Sequence, residues 1–188
     1  MVMPSATPAW TAAMVRALPP DRLRHEVVDG EHLVTPSPSW SHQRGAQELF
    51  VALHQYLQRY PVGEAVMAPA DVELDPWTLV QPDLFVVPRT GGPRPRRWED
   101  ISALLLVIEV LSPGTARSDR GSKRRRYQRE GIPEYWIVDL DARVVERWRP
   151  GDQRPEVLDR LLEWRPDGAD QPLCINLPDF FTGVLGGA

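Results

Sequence analysis

Residues 104–111 read LLLVIEVL, with seven apolar residues and the single acid Glu109. A half-buried strand alternates apolar and polar positions. A run this continuous predicts a strand covered on both faces, as at the centre of a sheet flanked by helices. It is too short to cross a membrane. A carboxylate near the end of such a strand is costly unless it is paired or metal-bound, which marks Glu109.

Working outward, strand-like runs occupy VQPDLFVV (Val80–Val87) and GEAVMAPADVEL (Gly63–Leu74). Before them, HQRGAQELFVALHQYLQRY (His42–Tyr60) repeats Leu49, Leu53, Tyr56 and Leu57 at helical spacing, with Ser41 placed to cap it. HEVVDGEHLV (His25–Val34) carries a hairpin signal at Asp29-Gly30. After the central run, SPGTARSD turns into a polar helix, Asp119–Glu130, stopped by Gly131 and Pro133. EYWIVDL and RVVERWR then form a hairpin around Asp139-Leu140-Asp141, and the rest reads as one or two short strands and a docked tail ending in LPDFF. The order is hairpin, helix, three strands, helix, strand, strand. It predicts one α/β domain over residues 21–188, with a mixed central sheet and a loose N-terminal arm over residues 1–20.

Composition excludes several classes. The 188 residues carry a net charge of −4, so the whole surface does not bind polyanions and any nucleic-acid contact must be a local patch. One cysteine, Cys174, allows neither an internal disulfide nor a zinc cluster. The N-terminus lacks a basic segment followed by an apolar one, so a cytoplasmic protein with no membrane span is expected.

Asp83 follows Pro82 at the start of a strand-like run. Two carboxylates at neighbouring strand ends, Asp83 and Glu109, make a hard oxygen site suited to Mg²⁺. The stretch DRGSKRRRYQREG (Asp119–Gly131) holds Lys123, the only lysine in a chain with 21 arginines. Arginine stays protonated, whereas a lysine's pKa shifts readily on burial. Asp119, Lys123 and Tyr127 recur at four-residue spacing on one helix face. Asp119 can pair with Lys123 and Tyr127 can hold its stem; the competing reading is core packing for Tyr127 and helix N-terminal charge for Asp119.

VVDGEHLVTPSPSWSHQR, QPDLFVV, LVIEVLSPGT and DRGSKRRRYQREGIPEYWIVD, in that order, closely resemble the Uma2 (DUF820) family of the PD-(D/E)XK nuclease superfamily. The resemblance runs from Arg24 to Phe181. It implies a restriction-endonuclease-like αβββαβ core, here with an N-terminal hairpin and C-terminal strands added. It implies a Mg²⁺ or Mn²⁺ ion held by Asp83, Glu109 and the backbone carbonyl of Val110. The superfamily's strand lysine falls on Leu111, which is inert, and Lys123 on the following helix takes its place. His42 matches a histidine of the family pattern and joins Asp83, Glu109 and Lys123 as a catalytic candidate. Asp71 is a candidate supporting acid, against a plain turn residue.

The resemblance therefore implies metal-dependent hydrolysis of DNA. The ion would act as Lewis acid, and Lys123 would orient the water, help deprotonate it or neutralise charge. Seven basic residues lie between Arg117 and Arg129, and Arg117, Arg120, Arg124 and Arg125 are candidate phosphate contacts. Arg89, Arg94, Arg96 and Arg97 add charge on a loop expected to be mobile. Cutting both strands is natural for a homodimer. Two other readings stay open: a non-catalytic nucleic-acid- or partner-binding module, and a hydrolase of another phosphoester.

Overall fold

The computed structural model describes residues 9–89 and 95–186. Residues 1–8 of the N-terminal arm and Arg94 of the basic loop lie outside the described residues. Helix α1 (Ala12–Arg16) leads into the hairpin of β1 (Arg24–Val28) and β2 (Glu31–Thr35), followed by α2 (Trp40–Arg59). Strands β3 (Gly63–Met67), β4 (Val72–Asp75), β5 (Thr78–Val80), β6 (Leu84–Pro88) and β7 (Leu106–Val110) come next. A second helical stretch joins α3 (Ala116–Ser118), a π-helical turn (Asp119–Lys123) and α4 (Arg124–Arg129). The chain continues through β8 (Glu134–Asp139), β9 (Val144–Trp148), β10 (Glu156–Leu158), β11 (Leu161–Trp164) and β12 (Leu173–Asn176) to α5 (Leu177–Leu185).

The central sheet has the order β10-β9-β8-β7-β6-β3 and is mixed, because β7 and β8 run parallel while its other pairs are antiparallel. Every residue of β7 is buried, as its continuous apolar run requires. On one face Leu84, Val86, Leu106, Ile108, Trp136 and Val138 pack with Leu49 and Leu53 of α2 and Phe181 of α5. On the other, Phe85, Val107, Tyr135 and Ile137 pack with Val28, Val72 and Val80 of a second sheet and Tyr127 of α4. Asp83 and Glu109 fall in step with Phe85 and Val107, so the alternation of strand side chains sends both to this second face.

The second sheet, β2-β1-β5-β4, arises where prolines interrupt the two long strands expected from sequence. Gly63–Leu74 divides at Pro69 into β3 and β4, and Val80–Val87 divides at Pro82 into β5 and β6. Proline has no N–H for a ladder, so the chain leaves one sheet and enters the other at each break. The β1–β2 turn is the Asp29-Gly30 pair, with φ of 50° and 82°, the left-handed geometry of a tight hairpin. In the N-terminal segment, Ala12 and Val15 of α1 pack on Val27 and Leu79.

Helix α2 begins earlier than its periodicity implies. Its cap is Ser39, not Ser41: Ser39 Oγ accepts from His42 N at 3.3 Å. Pro36 and Pro38 keep the chain extended up to Ser39, and the helix starts directly after it. The Asp119–Glu130 helix likewise starts earlier, at Ala116, and opens into a π turn. It stops at Gly131, φ 69°, as expected. The C-terminal LPDFF docks as part of α5, with Leu177, Phe181 and Val184 buried. Among the described residues no helix is long and apolar enough to cross a membrane.

Candidate active site

Ladder register sets the two acids. Leu84 pairs with Ile108, so one step further Asp83 faces Glu109. The Asp83 N–H lies 3.4 Å from Glu109 Oε2, and Asp83 Oδ2 accepts from Val110 N at 2.9 Å. Asp83 also receives His42 Nε2 at 3.0 Å on Oδ2 and Arg24 at 2.9 Å on Oδ1. Burial pushes the Asp83 carboxyl up, but the His42 hydrogen bond and charge, Arg24 and the Val110 N–H outweigh it and hold it at about 2. Asp83 is therefore a carboxylate at any ordinary pH.

Lys123 lies beneath this pair, 1% exposed. Its Nζ stands 2.9 Å from Glu26 Oε2, 3.0 Å from Glu109 Oε1 and 3.5 Å from Asp119 Oδ1. Burial alone would lower its pKa, but Glu109, Glu26 and Asp119 together raise it well above the usual lysine value. The ammonium's three donors suit three oxygens converging on one point, where a planar guanidinium fork does not fit. Tyr127 adds a hydrogen bond from its hydroxyl to Glu109 Oε1 at 3.3 Å, and burial keeps that hydroxyl protonated.

The structure thus brings together Asp83, Glu109, Lys123, His42, Asp119 and Tyr127. Val110 takes part through its N–H. Asp71 stands one step back: it accepts from Gln81 Nε2 at 2.8 Å, while Gln81 N donates to Glu26 Oε1 at 2.8 Å. Two residues not singled out in the sequence, Arg24 and Glu26, complete the cluster from β1. Their signal was the two-residue alternation of Arg24, Glu26 and Val28, with an acid at an inward position of an apolar strand.

Charge in the cluster is unbalanced. Glu26, Asp83, Glu109 and Asp119, each at most 3% exposed, face the fixed cations Arg24 and Lys123. Burial, followed by the neighbouring carboxylates, pushes Glu109 well above the usual range, although Lys123 opposes it. Asp119 rises mainly through burial. Among the described residues neither oxygen of Asp119 receives a full hydrogen bond, and the buried His42 Nδ1 finds no partner.

The helix arginines divide. Arg126 is buried against Asp29, Asp75 and Glu130. Arg120 bridges Asp139 at 2.8 Å and Glu146 at 2.6 Å, and Arg129 pairs with Asp29. Arg124 lies over the Trp148 ring at 4.8 Å. Arg117 and Arg125 are exposed with no acidic partner among the described residues. Arg89, Arg96 and Arg97 line a separate hollow that contains neither Asp83 nor Glu109.

The model of the Uma2 family, described as "Putative restriction endonuclease", matches residues 12–174. The fold is similar to the crystal structure of "a putative nuclease belonging to DUF820" from Anabaena variabilis, with a TM-score of 0.77 and 20% sequence identity. That likeness covers 93% of this chain and 99% of the other. No curated protein matches the chain.

Proposed function

The chain belongs to the Uma2 family, and from that premise we propose that it is a cytoplasmic, divalent-metal-dependent endonuclease that hydrolyses phosphodiester bonds in DNA. The observation that carries this reading is the convergence of Asp83 and Glu109, opposed on neighbouring strands, with Lys123 held against Glu109 at 3.0 Å.

The donor set fits Mg²⁺ or Mn²⁺. Four buried acidic side chains crowd the two fixed cations beside them, and a divalent ion would offset the crowding of carboxyl groups that helps raise Glu109. Among the described residues no three His, Cys, Asp or Glu side chains form a metal site by themselves. Asp83 and Glu109, with the Val110 carbonyl and water, match the habit of Mg²⁺ to take one or two carboxylates and keep its waters. The ion supplies Lewis acidity toward the phosphate.

The chain's own residues do the rest. Arg24 and His42 fix the Asp83 carboxylate, and Glu26, Glu109 and Asp119 fix Lys123. Ringed by three acids, Lys123 stays a cation. Its role is to orient the attacking water or offset charge on the phosphate, rather than to take a proton. Arg117 and Arg125, exposed and without an acidic partner among the described residues, contact the phosphate backbone, with Arg124 beside them; Arg120 is held instead by Asp139 and Glu146. Double-strand cutting is the work of a homodimer, each copy serving one strand. Incubating supercoiled plasmid with protein and Mg²⁺, Mn²⁺ or EDTA tests the reading. Nicking only with metal, lost in Asp83→Ala and Glu109→Ala, supports it; full activity in Asp83→Ala contradicts it.

A further inference from the structure

The cleft above Asp83 and Glu109 has a volume of about 730 Å³. A phosphate that enters it brings negative charge to a floor of carboxyl groups, so a cation beside those acids is needed to hold it. Lys123 lies beneath the floor, 1% exposed, and neither Arg117 nor Arg125 lines the cleft. Among the described residues, the fixed cations that do line it are Arg24 and Arg120.

The two arginines differ in which part of the guanidinium is already used. The Nε–H and one Nη2–H of an arginine point the same way and form a fork that takes two oxygens of one phosphate. In Arg120 that edge is closed. Its Nε donates to Glu146 Oε1 at 2.7 Å and its Nη2 to Asp139 Oδ2 at 2.8 Å. In Arg24 the other nitrogen is used. Nη1 donates to Gln81 O at 3.2 Å and to Asp83 Oδ1 at 2.9 Å, which spends both of its hydrogens. Nε and Nη2 donate to no described residue, yet neither is sealed from solvent. The side chain, 19% exposed, opens on the cleft that it lines. Its two anchors fix the direction of the open edge, so a phosphate meets a donor pair that is already oriented.

We propose that Arg24 is the arginine that binds substrate in this site: its Nε–Nη2 edge takes two oxygens of the phosphate lying over Asp83 and Glu109, while Nη1 stays on Asp83. Arg24 thereby ties the strand acid to the phosphate on which it acts. The inference rests on the nuclease reading for the identity of the ligand, but its test does not need turnover. A short fluorescein-labelled DNA oligonucleotide is titrated with the full chain over a range of salt. Ca²⁺, a hard ion that takes oxygen ligands, is kept at a level shown by calorimetry to saturate each variant. Wild type, Arg24→Lys and Arg24→Ala are compared, with a thermal transition recorded for each. Arg24→Ala is expected to bind about tenfold more weakly, with a log–log salt slope flatter by about 0.7–0.9, the share of one phosphate. Arg24→Lys is expected to keep the slope, through its point charge, and to lose part of the affinity with the fork. If Arg24 only positions Asp83, saturating metal leaves affinity and slope in Arg24→Ala at wild-type values, and that result overturns the proposal. Wild-type affinity in Arg24→Lys overturns it as well, and decides the matter should Arg24→Ala fail to fold. Plasmid cutting in Mg²⁺ or Mn²⁺ separates the two claims. An Arg24-dependent slope without cutting in either metal would leave this inference standing and remove the endonuclease. Cutting with a slope indifferent to Arg24 would do the reverse.

Discussion

Glu26 Oε2 lies 2.9 Å from Lys123 Nζ, joining the first hairpin to the helix 97 residues further along the chain. Two residues earlier on the same strand face, Arg24 holds Asp83. One strand of the hairpin thus grips both halves of the site, the strand acid through Arg24 and the helix lysine through Glu26. The β1–β2 hairpin is an addition to the αβββαβ core, and the core's chemistry leans on it.

Removing that grip should lower activity while the fold survives. Supporting residues that orient a metal site's ligands are worth about 10–100-fold in activity or metal affinity. Glu26→Gln is expected to lose turnover in that range, with a cooperative thermal transition retained. Wild-type turnover in Glu26→Gln would show that Glu109 and Asp119 suffice to hold the lysine.

Lys123→Met tests the cluster's electrostatics. It leaves three buried carboxylates without their shared cation, and breaking a buried pair this way costs about 3–5 kcal/mol. Urea unfolding at neutral pH should show that loss. Part should return on acidification, as the stranded acids take up protons. A variant as stable as wild type at neutral pH would mean that the acids are already protonated in the native protein.

Glu109 carries the opposite sign. Its folded pKa is raised, so the native state holds that proton more tightly than the unfolded chain does. Its contribution to stability is present at low pH and is lost as pH rises from the ordinary glutamate range through the raised folded value. Asp83 is depressed to about 2, so its contribution is present above the unfolded carboxylate range and is lost as pH falls toward that value. Glu109→Gln keeps an acceptor for Lys123 and Tyr127 but no charge. It should be inactive yet melt higher at neutral pH than metal-free wild type, by about 2–4 °C for each kcal/mol gained. Mg²⁺ should raise the wild-type midpoint and leave the variant unmoved. A lower melting point in Glu109→Gln would contradict the charge imbalance on which the metal argument rests.

Arg117 and Arg125 are exposed and have no acidic partner among the described residues, so both are placed to meet phosphate. If they do, each alanine variant should flatten the log–log salt dependence of oligonucleotide binding by about 0.7–0.9. The Arg126→Ala variant should instead lose stability, because its partners Asp29, Asp75 and Glu130 are intramolecular.

The strand Leu106–Val110, the Asp29-Gly30 hairpin and the paired acids were legible because each rests on a local rule: a continuous apolar run, a turn dipeptide, an acid where apolar residues belong. The second sheet was not, since Pro69 and Pro82 marked breaks without saying that the chain crosses between sheets there. Arg24 and Glu26 were hidden for a related reason. Their partners, Asp83 and Lys123, are remote in sequence, and an inward acid stands out only once the strand's faces are known. The basic run overstated the free charge, because the acids that neutralise Arg120, Arg126 and Arg129 come from other elements.

The most direct test is a plasmid-nicking assay with Mg²⁺ on wild type, Lys123→Ala and Lys123→Arg at low salt. The geometry predicts nicking by wild type that EDTA abolishes and that both variants lack, since three carboxylate oxygens converge on a single ammonium. Cutting by Lys123→Arg at the wild-type rate would contradict the assignment of Lys123 as the group this site is built around.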